Sequence, residues 1–167
     1  TVTNVETVTG DSGADSITFG AAISGAAVDL GDGTDTLVLV NGTNNVTASN
    51  VETVTAASGA DTVTLGAAIS GAVVNLGAGS DTLVLSGAGA NDVTVSNTET
   101  VTGGADDDTV TLATTISGGV VDLAAGTDIL ALANGSNTLT VSGAETISGH
   151  SGADTVSLGA AVSALEI

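Results

Sequence analysis

The sequence predicts an all-β fold, a parallel β-solenoid, and three observations carry that prediction. A unit of 46 or 47 residues recurs along the chain. Within it, apolar and polar residues alternate with a period of two, the mark of strands with one buried face. Glycine-containing turns ending in Asp punctuate the alternation, and no hairpin signature links one strand to its next copy, so equivalent strands stack in parallel.

The repeat is explicit. ETVTGDSGADSITFGAAISGAAVDLGDGTDTLVL at 6–39 returns as ETVTAASGADTVTLGAAISGAVVNLGAGSDTLVL at 52–85 and as ETVTGGADDDTVTLATTISGGVVDLAAGTDILAL at 99–132, with a partial fourth copy from Glu145. The whole chain, 1–167, therefore reads as one array with copies at about 6–51, 52–98, 99–144 and 145–167. Each copy holds two turns of the same type, which places aspartates at Asp15, Asp35, Asp61, Asp81, Asp108, Asp128 and Asp154. Two residues after each stands Ile17, Leu37, Val63, Leu83, Val110, Leu130 or Val156, and four after stands Phe19, Leu39, Leu65, Leu85, Leu112, Leu132 or Leu158. Seven before stands Val8, Val28, Val54, Val74, Val101, Val121 or Ile147. Gly lies two residues before every one of these aspartates except Asp108, where Asp106 takes its place.

These spacings predict about seven coils of alternately ~20 and ~26 residues, two per repeat, stacked at ~4.8 Å into an object roughly 34 Å long. Three aliphatic ladders fill it, the short coils add a small third side around Ile23, Ile69 and Ile116, and the long coils spend their extra residues on NNVTASN, NDVTVSN and NTLTVSG. Abundant Gly and β-branched residues without a 3.6-residue apolar period disfavour helix. The closing LGAAVSALEI resembles the middle of a short coil. An uncapped solenoid end templates association, so the array is expected to continue or to stack end to end on copies of itself.

Composition narrows the partners. Nineteen carboxylates against no Lys or Arg give a net charge of −19, which repels phosphates and anionic lipid and excludes nucleic acid and membrane surfaces as natural ligands. Cations are the natural partners. With 42% hydrophobic residues the chain is too apolar for a solvated acidic tail. Without Cys there are no disulfides or thiolate metal sites. No run reaches transmembrane length, and TVTNVETV lacks the basic and apolar regions of a signal peptide; the absence of an initial Met fits a mature product or an excerpt.

On a single edge, carboxylates ~4.8 Å apart repel by about 3.5 kcal/mol at an effective dielectric of 20. Protonation, hydrogen bonds from turn amides, or metal ions would compensate, and hard oxygen donors select Ca²⁺. The alternative is that each Asp closes an Asx-turn and nothing more.

The turns resemble degenerate copies of the G-G-x-G-x-D-x-U-x nonapeptide of the RTX calcium-binding β-roll family, through GDSGADSIT at 10–18, GGADDDTVT at 103–111 and GHSGADTVS at 149–157. Weaker matches are LGDGTDTLV, LGAGSDTLV, LAAGTDILA and AASGADTVT at 30–38, 76–84, 123–131 and 56–64. The resemblance implies a secreted or surface-displayed bacterial protein exported by type I secretion, with Ca²⁺ held between neighbouring turns. Its ligands would be the carboxylates of Asp15, Asp35, Asp61, Asp81, Asp108, Asp128 and Asp154 and loop carbonyls at Gly10, Gly13, Gly31, Gly33, Gly77, Gly79, Gly103 and Gly152. The chain departs from the family in its uneven coil lengths, in one nonapeptide per coil, and in four turns that lack the first Gly.

The remaining features are weaker. Glu6, Glu52, Glu99 and Glu145 recur once per repeat as a second acidic stripe or as plain exposed positions. His150 reads as a turn residue, and no Ser/His/Asp set, Cys or sugar-stacking Trp or Tyr supports catalysis. Outward Thr62/Thr64 and Thr109/Thr111 resemble an ice-binding array, interrupted by Val38, Val84 and Ala131. The expected function is an extracellular structural or adhesive calcium-binding segment of an adhesin, surface-layer or filament protein. The alternatives are an export and folding module of a secreted enzyme or toxin and, less favoured, an ice-binding solenoid.

Overall fold

The computed structural model describes residues 1–159. Strand β1 (Thr7–Thr9) precedes three rounds of five strands. The first round is β2 (Ser16–Thr18), β3 (Ser24–Asp29), β4 (Thr36–Val38), β5 (Asn45–Ser49) and β6 (Thr53–Thr55). The second is β7 (Thr62–Leu65), β8 (Ser70–Asn75), β9 (Thr82–Val84), β10 (Asp92–Ser96) and β11 (Thr100–Thr102). The third is β12 (Thr109–Leu112), β13 (Ser117–Asp122), β14 (Ile129–Ala131), β15 (Thr138–Ser142) and β16 (Thr146–Ser148), and β17 (Thr155–Leu158) opens a fourth. Successive strands alternate between two sheets, nine odd-numbered strands in one and eight even-numbered strands in the other, all paired in parallel with the next strand but one. The chain is a parallel β-solenoid of about eight turns.

Period-two alternation sends one set of side chains into the space between the sheets. One sheet stacks Val46, Val63, Leu83, Val101, Val121 and Val141 in register, and the other stacks Ile17, Leu37, Val54, Val74, Val95 and Leu112. Apart from Ile17, which is half-buried at the outer end of its column, these residues belong to one continuous aliphatic core that also encloses Phe19 and Leu30. The inward positions expected from the sequence lie in or against this core, except Leu158, which is exposed in the last described strand.

The coil count differs from the expectation of two per repeat. Each repeat holds five strands and each coil uses two, so a repeat spans two and a half coils. The stretches assigned to extra residues, NNVTASN, NDVTVSN and NTLTVSG, contain the full strands β5, β10 and β15. Ile23, Ile69 and Ile116 do not form a third side; they immediately precede β3, β8 and β13, at the corner that Asp occupies elsewhere. Near the start of those three strands Gly25, Gly71 and Gly118 take positive φ, and the register with the next strand shifts there. The bulge breaks the sequence alternation and conceals the strand. The reading of LGAAVSALEI as an uncapped end extends into 160–167, outside the described residues.

Turns stack as closely as strands. A Cβ on Gly79 would run into the Gly59 carbonyl, and one on Gly33 into the Gly13 carbonyl, whereas one on Gly87 would meet nothing. Gly79→Ala is therefore expected to cost about 1–3 kcal/mol by overpacking, and Gly87→Ala to change stability by less than about 0.5 kcal/mol. Equal melting temperatures for the two variants would refute this account of the turn glycines.

Candidate functional site

The residue immediately before each strand occupies a corner. Read in chain order from β2, these corner residues run Asp15, Ile23, Asp35, Asn44, Glu52, then Asp61, Ile69, Asp81, Asn91, Glu99, then Asp108, Ile116, Asp128, Asn137, Glu145, then Asp154. Because five is odd and strands alternate between sheets, equivalent corners of successive repeats fall on opposite edges. The seven aspartates therefore form two columns where the sequence suggested one. Asp15, Asp35, Asp108 and Asp128 lie on the edge before the even strands, and Asp61, Asp81 and Asp154 on the edge before the odd strands. Along either edge the order becomes Asp, Asp, Glu, Ile, Asn.

Hydrogen bonds run down each column from the backbone amide of one corner to the side chain of the next. The Asp61 amide donates to Asp81 Oδ1 at 2.7 Å, and the Asp81 amide to Glu99 Oε2 at 2.9 Å. On the other edge the Asp15 amide donates to Asp35 Oδ1, the Asp35 amide to Glu52 Oε2, the Asp108 amide to Asp128 Oδ1 and the Asp128 amide to Glu145 Oε2, all between 2.7 and 2.8 Å. Ile23 and Ile116 donate their amides to Asn44 and Asn137 but have no side-chain acceptor to offer the Glu before them. The ladder breaks once per five rungs, at Ile.

The asparagines donate the most hydrogen bonds in the ladder, although Asn91 Oδ1 is buried without a partner, and sequence reasoning passed over them. Asn44 donates both its backbone amide and Nδ2 to Asp61 Oδ1 at 2.8 Å, and its Nδ2 also meets the carbonyls of Val40 and Gly42. Asn91 and Asn137 repeat this arrangement onto Asp108 and Asp154. All three are buried. The available signal was their recurrence at the repeat period in front of an apolar alternation. The glutamates join the ladder too: Glu52, Glu99 and Glu145 are half-buried acceptors, while Glu6 is exposed.

Each edge thus presents consecutive carboxylates, Asp-Asp-Glu, with unequal support. Asp35, Asp61, Asp81, Asp108 and Asp128 are buried; Asp15 and Asp154 are half-buried. Asp108 Oδ2 accepts the Gly104 amide at 3.0 Å and Asp15 Oδ2 the Asp11 amide at 3.3 Å. Among the described residues, Oδ2 of Asp35, Asp61, Asp81 and Asp128 and Oδ1 of Asn91 are buried without a partner. Burial raises the pKa of Asp81, against the Asp61 amide that lowers it and with the Asp61 and Glu99 charges adding to the rise. Burial likewise pushes Asp128 up to about 6, against the Asp108 amide that lowers it and with the Asp108, Glu145 and Asp107 charges adding to the rise.

The predicted loop residues lie where turns touch. Gly31 and Gly77 take positive φ against the carbonyls of Asp11 and Ala57, Gly10 and Gly103 abut the Leu30 and Leu123 carbonyls, and Gly152 abuts that of Gly135; Gly13 supplies the carbonyl that Gly33 meets. Asp11, Asp32, Asp106 and Asp107 are exposed turn carboxylates, and His150 is an exposed turn residue at φ 52. Among the described residues no three His, Cys, Asp or Glu side chains converge on one point. The donor chemistry still suits a hard cation, because the unpartnered Oδ2 atoms and the turn carbonyls are anionic or neutral oxygens that lack any cationic side chain nearby.

No family model, curated protein or solved structure matches this chain. The Thr-x-Thr pairs divide between the faces, Thr62/Thr64 on the odd sheet and Thr109/Thr111 on the even one. Thr62/Thr64, Thr82/Val84 and Thr100/Thr102 make three consecutive ranks before Val120/Asp122 ends them.

Two outcomes follow. Asn44→Ala leaves the backbone amide on Asp61 Oδ1 but removes the Nδ2 donor to that atom and to the Val40 and Gly42 carbonyls and the Oδ1 acceptor of the Ile23 amide, and is expected to lower stability by about 1–3 kcal/mol per buried group left unpaired; a denaturation midpoint equal to the parent's would refute the capping role. The raised pKa values of Asp81 and Asp128 mean that the folded state holds these protons more tightly than the unfolded chain. Their stabilising contribution is present at and below the ordinary carboxylate pKa and is lost as pH rises through the raised folded-state values, about 6 for Asp128. The metal-free chain should melt at higher temperature at pH 4 than at pH 7, and Asp128→Asn should flatten that dependence; a melting temperature rising with pH across this window would contradict the assignment.

Proposed function

We propose that this chain is a calcium-stabilised structural rod, a segment of a secreted or surface-displayed repeat protein of the adhesin, surface-layer or filament kind. The observation that supports this most is the ladder itself. Within each Asp-Asp-Glu run every rung is held by the next, the ladder breaks at Ile, the five-step order of corners recurs from repeat to repeat, and the described corners offer no catalytic constellation in its place. Such an array extends by adding units and transmits load along hydrogen-bonded parallel sheets.

The calcium reading rests on the unpartnered buried Oδ2 atoms of Asp35, Asp61, Asp81 and Asp128 and on the likeness of their turns to RTX nonapeptides. The paired aspartates Asp15/Asp35, Asp61/Asp81 and Asp108/Asp128, together with Asp154, would hold the ions with turn carbonyls. A bound divalent cation would neutralise adjacent carboxylates and couple folding to the millimolar calcium outside cells. End-to-end continuation with further repeats or copies and export by type I secretion belong to the same reading.

Calcium titration followed by circular dichroism, with reversal by EDTA, is the test. The melting temperature should rise at millimolar Ca²⁺, and the rise should be smaller in Asp81→Ala. A β-sheet signal and melting temperature that do not respond to calcium would leave the amide ladder as the whole explanation of the aspartates.

A further inference from the structure

Turn length follows the same five-step order as the corners, so each edge is notched. On the odd-strand edge, Leu76–Asp81 joins β8 to β9 and Leu132–Asn137 joins β14 to β15. Between them stack two shorter turns, Asn97–Glu99 ahead of β11 and Ala113–Ile116 ahead of β13. The two short rungs leave a gap ~10 Å long in the edge. It holds a cavity of about 270 Å³ bordered by Gly77, Asn97, Glu99, Thr115, Ile116 and Ser117. A second cavity, of about 170 Å³, lies two repeats earlier on the same edge, bordered by Asn4, Glu6, Ala22, Ile23 and Ser24, the equivalents of Asn97, Glu99, Thr115, Ile116 and Ser117. The middle repeat carries Asn50, Glu52, Ile69 and Ser70 at this position on the opposite edge.

The notch is chemically distinct from the ladder. Glu99 Oε2 is engaged by the Asp81 amide, but among the described residues no donor reaches Oε1. Two bordering amides are already engaged, that of Asn97 by Thr114 Oγ1 at 2.8 Å and that of Gly77 by Asn75 Oδ1 at 3.2 Å. A carboxylate oxygen and the Thr115 and Ser117 hydroxyls remain as acceptors beside the apolar surface of Ile116. The chain has no Lys or Arg to fill the site. We infer that the notch binds a primary alkylammonium group, the charged end meeting Glu99 Oε1 and a threonine hydroxyl while the methylene stem lies along Ile116. No ladder aspartate lines the cavity, so the inference is independent of the calcium reading.

Amide chemical shifts of the metal-free protein, titrated separately with N-acetyl-lysine methylamide and with spermidine, test this. Shifts should concentrate at Asn97, Glu99, Thr115 and Ser117 and at Asn4, Glu6 and Ser24, with no response to N-acetyl-norleucine methylamide. Glu99→Gln keeps an acceptor for the Asp81 amide and should weaken binding at its notch about tenfold; Asp92→Asn, which removes the same charge from an exposed strand position, should not. Tighter binding of the lysine derivative identifies a basic protein partner as the source, and tighter binding of spermidine a free polyamine. Shifts spread evenly over the acidic turns, or unchanged affinity in Glu99→Gln, would overturn the inference.

Discussion

The structure depends on how a solenoid satisfies the backbone at its corners. Within the sheets, parallel pairing satisfies amides automatically; at the corner preceding each strand the amide points along the axis and needs an acceptor from the next coil. Asp81 serves Asp61, Glu99 serves Asp81 and Asn44 serves Ile23. An acidic or amide side chain is thereby called for at nearly every corner, and the chain's acidity follows in large part from that local demand. A buried amide left unpaired costs about 1–3 kcal/mol, and each stacked side-chain oxygen removes one such cost.

That solution leaves the Asp-Asp-Glu runs under-supported. Asn supplies the first Asp of a run with two donors, while the second receives one amide and lies between two like charges. A proton relieves that deficit, and a divalent cation of the kind proposed would compete with it for the same rungs.

Much of this was legible in the sequence because stacking converts local periodicity directly into three-dimensional register. Asp15, Ile17 and Phe19 fixed corner and inward positions for every copy, and the inward residues identified from that alignment, Leu158 excepted, lie in or against the core. The edge assignment was not legible in the same way. It depends on counting strands, and β3, β8 and β13 begin with Ser-Gly bulges that interrupt the alternation and hide one strand in five. Missing one strand per repeat turns an odd number into an even one and merges two columns into one. Asn44, Asn91 and Asn137 were overlooked for a related reason: a lone Asn before a strand looks like turn chemistry until the neighbouring coil places a carboxylate beneath it.

An odd strand count per repeat gives array length a parity. Inserting or losing one repeat leaves the core intact but rotates everything downstream by half a turn about the long axis, so that a face directed toward a surface becomes directed away. Two repeats restore the orientation and change only the reach. Variation in repeat number along such a rod therefore selects between two presentations of whatever the array carries, a binary adjustment that needs no change in any single residue.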